Sequence, residues 1–178
     1  MSQSVPRLRR AQSGNEPALR DLRIQALTDA PAAFGSTLER ELNRSPAEWA
    51  RWLSPSATFL LEYGSIARGL AAGVRDEADP KLVHLMSMWL HPGLRGSGAA
   101  DRLVDAVPVW ATTCGANRIR LDVIQGNEPA IRLYRRHGLR PTGHTSSRLR
   151  DGAVEIQMER DIPPADPAPD TRNASGAT

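Results

Sequence analysis

The chain has 178 residues, 40% of them hydrophobic and 24% charged, which suits one soluble domain of ordinary size with a real core. Its formal charge is +3 and it holds one cysteine, Cys114, which excludes an internal disulfide framework and a cysteine-built zinc site. No apolar run approaches the ~20 residues of a membrane span, and MSQSVPRLRRAQ has no apolar stretch behind its charges as a secretory signal would, so the expected compartment is the cytoplasm.

RLRRAQ reads as a first strand. Asn15 to Thr28 then places positions 15, 18/19, 22 and 26 on one helical face, with Asn15 as N-cap and Pro17 in the first turn. Pro31 and Gly35 break this helix, and Ser45-Pro46 opens a second, short one through Trp49. TFLLEYG and ARGLAAGV are strands joined at Gly64-Ser65, and KLVHLMSMWL is a long apolar strand ending at His91-Pro92-Gly93. A helix follows, in which Pro108 predicts a kink or an early break, because an interior proline costs ~3 kcal/mol. RIRLDVI alternates Ile119, Leu121 and Val123 against polar neighbours, Asn127 to His137 forms the next helix, and two final strands turn at Asp151-Gly152. The order predicts a mixed α/β (α+β) domain over residues 1–162, with a largely antiparallel sheet flanked by helices. Residues 163–178 read as a disordered Pro/Ala-rich tail.

The densest signal is HPGLRGSGAADRL, His91 to Leu103: a strand, then bare backbone, then a helix. The first amides of a helix lack internal partners and carry partial positive charge. Glycines at 96 and 98 let a diphosphate reach them, and Arg95 can add a guanidinium fork. Residues 95–100 are therefore a candidate pyrophosphate cradle. A Walker A loop is excluded because no Lys follows, and a Rossmann fingerprint fails at Asp101, where its third Gly should stand. Lys81 is the one lysine; the arginines are dispersed and not interleaved with aromatics, which argues against nucleic acid.

The pattern Arg95-x-x-Gly98-x-Ala100, after a strand ending in MWLHP, resembles the acetyl-CoA signature of the GNAT superfamily of N-acetyltransferases. LDVIQGNEPAIRLYRRHGL resembles that family's second signature: a strand, an Asn opening a helix, and a Tyr seven residues on. The early RIQALTDAPAAFGST also resembles the start of many bacterial members. The resemblance implies a sheet with splayed central strands, acetyl-CoA as co-substrate, and transfer of the acetyl group to a primary amine by direct attack, the acceptor being a small amine, an antibiotic or a protein or peptide amine.

It implies that Met88, Trp89 and Leu90 pair with pantetheine through their backbone. Arg95, Gly96, Ser97, Gly98, Ala99 and Ala100 would hold the diphosphate. Asn127 would both cap its helix and contact the cofactor, and Tyr134 would protonate the departing thiolate. Arg132, Arg135 or Arg136 would meet the 3′-phosphate. His84, which alternates in phase with Met86 and Met88, is the candidate catalytic base, with His91 and Glu62 as further candidates. The acceptor pocket is expected from Ala30–Trp52, with Phe34, Trp49 and Trp52, and from Thr142–Arg150, with His144. The histidines, at 84, 91, 137 and 144, lack metal-ligand spacing, so no metal is expected. A homodimer fits the family's habits. The other function considered is a non-catalytic acyl-CoA-binding regulatory module, which would keep the cradle without needing Tyr134.

Overall fold

Where apolar residues alternate in the sequence, the computed structural model, which describes residues 6–54, 56–148 and 151–163, shows strands of one sheet. They are β1 (Arg7–Arg10), β2 (Ala57–Tyr63), β3 (Ile66–Arg75), β4 (Leu82–Leu90), β5 (Arg118–Ile124), β6 (Arg140–Ser147) and β7 (Val154–Asp161). Their order is β1-β2-β3-β4-β5-β7-β6, antiparallel throughout except for the parallel pair β4/β5. The helices are α1 (Glu16–Asp29), α2 (Leu38–Leu42), α3 (Pro46–Leu53), α4 (Ala99–Thr113) and α5 (Glu128–Arg136). None among the described residues is long and apolar enough to cross a membrane. Residues 164–178, nearly all of the expected tail, lie outside the described residues.

Two cores sandwich the sheet. One face packs Leu61, Val83, Leu85, Ile119 and Leu121 against Leu103, Val104, Val107 and Trp110 of α4. The other packs Leu60, Leu70 and Trp89 against Leu19, Leu22 and Ala26 of α1 and Trp49 of α3. α3 starts where Ser45-Pro46 predicts, with a full capping box: the Ser45 hydroxyl accepts from the Glu48 amide, and Glu48 accepts from the Ser45 amide. α2, capped by Thr37, is a helix that the sequence reading leaves as loop; its single turn is too short to show a period.

Pro108 does not break α4. The helix runs on to Thr113 with Pro108 itself buried. Val107, Trp110 and Ala111, around it, are all buried against the sheet, and burial of such side chains at ~1.5–3 kcal/mol each outweighs one missing amide bond. Gly73 on β3 makes room for this packing: a Cβ there would lie 2.6 Å from the Trp110 ring.

β4 carries a bulge. Between Ala72↔Met86 and Leu70↔Trp89, two residues of β4, Ser87 and Met88, oppose Ala71 alone, and Ser87 sits at a left-handed φ of 57°. The bulge reverses the side-chain phase. Val83 and Leu85 face α4 before it, as Met88 and Leu90 do after it. Trp89, and not Met88, therefore shares the α1-side face with His84 and Met86. Strict alternation in the sequence misplaces Met88 for this reason.

Candidate active site

β4 and β5 are paired only over Leu82–His84 and Arg118–Arg120. Beyond that point each strand keeps one neighbour, β3 or β7, and the two diverge. The gap widens into a cleft of about 1590 Å³, lined among others by Met88, Trp89 and Leu90 on one strand and Leu121–Ile124 on the other. The facing edge of β4 beyond His84 is left with unpaired backbone groups, which a ligand with amides of its own can match.

Where β4 ends, the turn before α4 adds a second set of donors. Gly96 and Gly98 have φ of 80° and 82°, so glycine is required by conformation as well as by access, and no atom lies within 4 Å of where a Cβ would stand at either. Among the described residues, the amides of Gly96, Gly98 and Ala100 donate to no protein acceptor. Those of Ser97 and Ala99 are engaged at 3.4 Å, by the Leu94 carbonyl and the Ser97 hydroxyl. Gly96, Gly98 and Ala100 line the cleft; Ser97 and Ala99 do not, and the Ala99 side chain belongs to the core. Of the six residues expected to form the cradle, Arg95, Gly96, Gly98 and Ala100 line the cleft. The Arg95 guanidinium, expected to fork onto the diphosphate, is bonded to Asp29 and to the Leu90 carbonyl (3.3 Å).

Asp29, at the end of α1, is a residue that the sequence reading misses. It accepts from the Trp89 indole (2.9 Å) and from Arg95, and these bonds, led by that of Trp89, hold its carboxyl below the usual aspartate range. One carboxylate therefore fixes both the β4 segment and the start of the glycine turn to α1.

Across the cleft, Asn127 caps α5 as expected, its side chain accepting from the Ala130 amide (3.4 Å). Tyr134 lies on the inward face of α5, 7% exposed, and lines the cleft. Its hydroxyl has no protein partner among the described residues, and burial pushes the phenol well above the ordinary tyrosine value. The phenol thus stays neutral at any physiological pH. Arg132 and Arg136 also line the cleft; Arg136 is paired with Asp101 (2.8 Å), whereas Arg132 has no charged partner among the described residues.

His84 lines the cleft, with Nε2 2.8 Å from Asp76 Oδ2. The other two base candidates sit apart from it. Glu62 is clamped by Arg9 (2.6 Å) between β1 and β2, off the cleft. His91 accepts from the Gly93 amide (3.2 Å) and caps the turn after β4.

The far end of the cleft is walled by α1–α3. Arg23 (3% exposed) and fully buried Glu41 pair at 3.5 Å, and Arg44 binds Glu41 at 2.5 Å. Arg23 lies over the rings of Phe34 and Trp52, and Arg44 over Trp49 and Trp52, which are stacked 5.6 Å apart. Burial alone would raise the Glu41 pKa; bonds from Ser36 and Arg44 and the charges of Arg23 and Arg44 outweigh it and hold Glu41 below its ordinary value. Phe34 and Trp52 reach the cleft; Trp49 is behind them and His144 is exposed on β6, away from it. Arg148 ties the late hairpin to this wall by donating to the carbonyls of Phe34 (2.6 Å) and Ala32 (2.9 Å). Leu149 and Arg150, within the expected pocket segment, lie outside the described residues.

The acetyltransferase (GNAT) family profile matches residues 20–139. An uncharacterised N-acetyltransferase of Mycobacterium tuberculosis (strain ATCC 25618 / H37Rv) is 31% identical over 109 residues, 61% of this chain and 70% of that protein. Among solved structures, a Salmonella typhimurium protein described as an acetyltransferase, with its cofactor acetyl-CoA, superposes with a TM-score of 0.72 at 20% identity, over 94% of this chain and 99% of that one. A GNAT acetyltransferase from Streptococcus pneumoniae reaches 0.76 at 17% identity, over 89% and 100%. A ribosomal-protein-alanine N-acetyltransferase from Brucella melitensis reaches 0.72 at 20%, over 88% and 99%.

Proposed function

The chain belongs to the acetyltransferase (GNAT) family, and from that premise we propose that it moves the acetyl group of acetyl-CoA onto a primary amine by direct attack, with no covalent enzyme intermediate. The observation that carries this reading is the coincidence of two sets of unpaired main-chain groups in one cleft. The edge of β4 suits pantetheine, and the amides of Gly96, Gly98 and Ala100, at the positively polarised end of α4, suit a diphosphate. Arg132, free of a charged partner among the described residues and lining the cleft, is the cation we assign to the 3′-phosphate.

Acetyl-CoA supplies the activated thioester. A backbone amide near Trp89 or Leu90 polarises its carbonyl oxygen. The amine nitrogen bonds to the carbonyl carbon, the carbon–sulfur bond breaks, and the sulfur leaves with the electron pair. Tyr134 gives its proton to that thiolate; a phenol with no internal acceptor is free to point its hydrogen there. His84, directly or through water, takes the proton lost by the amine. The acceptor approaches from the α1–α3 side, past Phe34 and Trp52.

A panel of small amines and peptides with acetyl-CoA, followed by release of free thiol, tests the reading. Turnover on at least one amine is expected. Tight binding of acetyl-CoA without turnover on any of them would favour a binding module, and absence of acetyl-CoA binding would overturn both.

A further inference from the structure

One polar pair in the cleft is built more rigidly than packing alone requires. Asp76 stands just after β3, and its carboxylate is held at both oxygens. Oδ1 accepts from the amides of Ala78 (2.9 Å) and Asp79 (2.8 Å), and Oδ2 faces His84 Nε2 at 2.8 Å. The loop itself is closed by the Asp76 amide on the Leu82 carbonyl (3.0 Å) and by the Leu82 amide on the Asp79 carbonyl (3.0 Å). The Asp79 side chain accepts from the Lys81 amide (2.9 Å) and from Arg118 on β5. Turning the Asp76 carboxylate would break three hydrogen bonds at once.

We infer that Asp76 is the positioning residue of a His84–Asp76 pair whose other ring nitrogen, His84 Nδ1, accepts the proton of the acceptor amine. An ionised carboxylate only accepts hydrogen bonds, so Nε2 carries the ring hydrogen of the neutral imidazole and Nδ1 is left with a lone pair. The Asp76 carboxyl is held near pKa of about 2, first by the His84 bond and then by the Asp79 and Ala78 amides, so its charge persists at any working pH. Nδ1 has no protein partner among the described residues, and both side chains line the cleft. The bulge at Ser87-Met88 puts His84 on the same sheet face as Trp89, the face that α1–α3 cover and the acceptor must cross.

The charges around the pair are few. Arg120, in register with His84 on β5, is committed to Glu159 on β7 at 2.6 Å, and Arg118 shares that carboxylate at 3.3 Å. Arg75 and Glu77 flank Asp76 in the chain and line the same end of the cleft. The balance closes without any further reagent: the amine proton passes to Nδ1, the Tyr134 proton passes to the thiolate, and the His84 proton returns through solvent to the tyrosine.

This inference rests on the acetyl-transfer reading, and its test separates the two. The full chain, labelled at histidine nitrogen, is compared by NMR as wild type and as Asp76→Asn to read which ring nitrogen of neutral His84 carries the hydrogen, and kcat and the acetyl-CoA KM are measured for both and for His84→Gln on any amine the panel yields. Loss of the carboxylate should turn the Nε2–H tautomer of neutral His84 into a mixture with the Nδ1–H form. It should also cut kcat about tenfold, and His84→Gln should cut it about 100-fold. The KM for acetyl-CoA should stay unchanged in both. A tautomer indifferent to Asp76→Asn would overturn the pair, and a tautomer that changes while kcat stays would overturn its role as base. Absence of turnover on every amine would overturn acetyl transfer itself and the base role with it.

Discussion

On the side of the cleft assigned to the cofactor, the turn Gly96–Ala100 offers little but main chain: two glycines in left-handed conformation and three amides without protein partners among the described residues. On the side assigned to the acceptor the wall is all side chain. Arg23, Glu41 and Arg44 are locked together under Phe34, Trp49 and Trp52. The contrast teaches how one fold keeps one ligand and varies the other. A surface made of backbone is fixed by the path of the chain and stays the same under most substitutions. A surface made of side chains is rewritten by each one, at the cost of stability wherever charges are buried.

The largest effect expected from breaking this contrast lies on the side-chain wall. Glu41→Ala leaves Arg23 buried without its carboxylate and should destabilise the protein by about 3–5 kcal/mol in urea unfolding. The sign with pH follows from the lowered Glu41 pKa. Its contribution is present above the unfolded glutamate value of ~4.3 and is lost as pH falls through the lower folded value, so Glu41→Gln should flatten the acid side of the stability curve. Next comes the chemistry between the walls. Tyr134→Phe should lower kcat about 100-fold while leaving the acetyl-CoA Kd nearly unchanged, read by thiol release and calorimetry.

On the backbone wall, Gly98→Val puts a branched side chain at φ 82° in the path of the diphosphate. It should weaken acetyl-CoA binding by roughly 10- to 30-fold and lower stability by about 1–2 kcal/mol. Trp52→Ala sharpens the comparison with the smallest effect. It should raise the acceptor KM about 3- to 10-fold, the ~1 kcal/mol of a partly exposed aromatic contact, and leave the acetyl-CoA Kd alone. Equal effects of Trp52→Ala on both ligands would mean that the two walls are not independent.

The glycine turn, the Asn127 cap and the inward face of Tyr134 were legible in the sequence because each is a local matter. A turn, a cap and a helical period are all encoded within about seven residues. The partners of those groups were not. Asp29 meets Trp89 from sixty residues away, and Asp76 finds His84 only because β3 and β4 turn back on each other. The clearest available hint for Asp76 was its place in RDEADP, a polar loop ending one strand just before the strand that carries a lone histidine.

By itself the sequence determined the order of the elements, the bare backbone ahead of α4 and the residues able to give or take a proton, since composition and short-range sterics fix these. Only the tertiary structure decided that α4 runs through Pro108, that the β4 bulge turns Trp89 rather than Met88 toward His84, and that Arg95 reaches back to Asp29. Each of these outcomes is set by contacts between residues distant in the chain, whose packing free energy outweighs the local preference that the sequence displays.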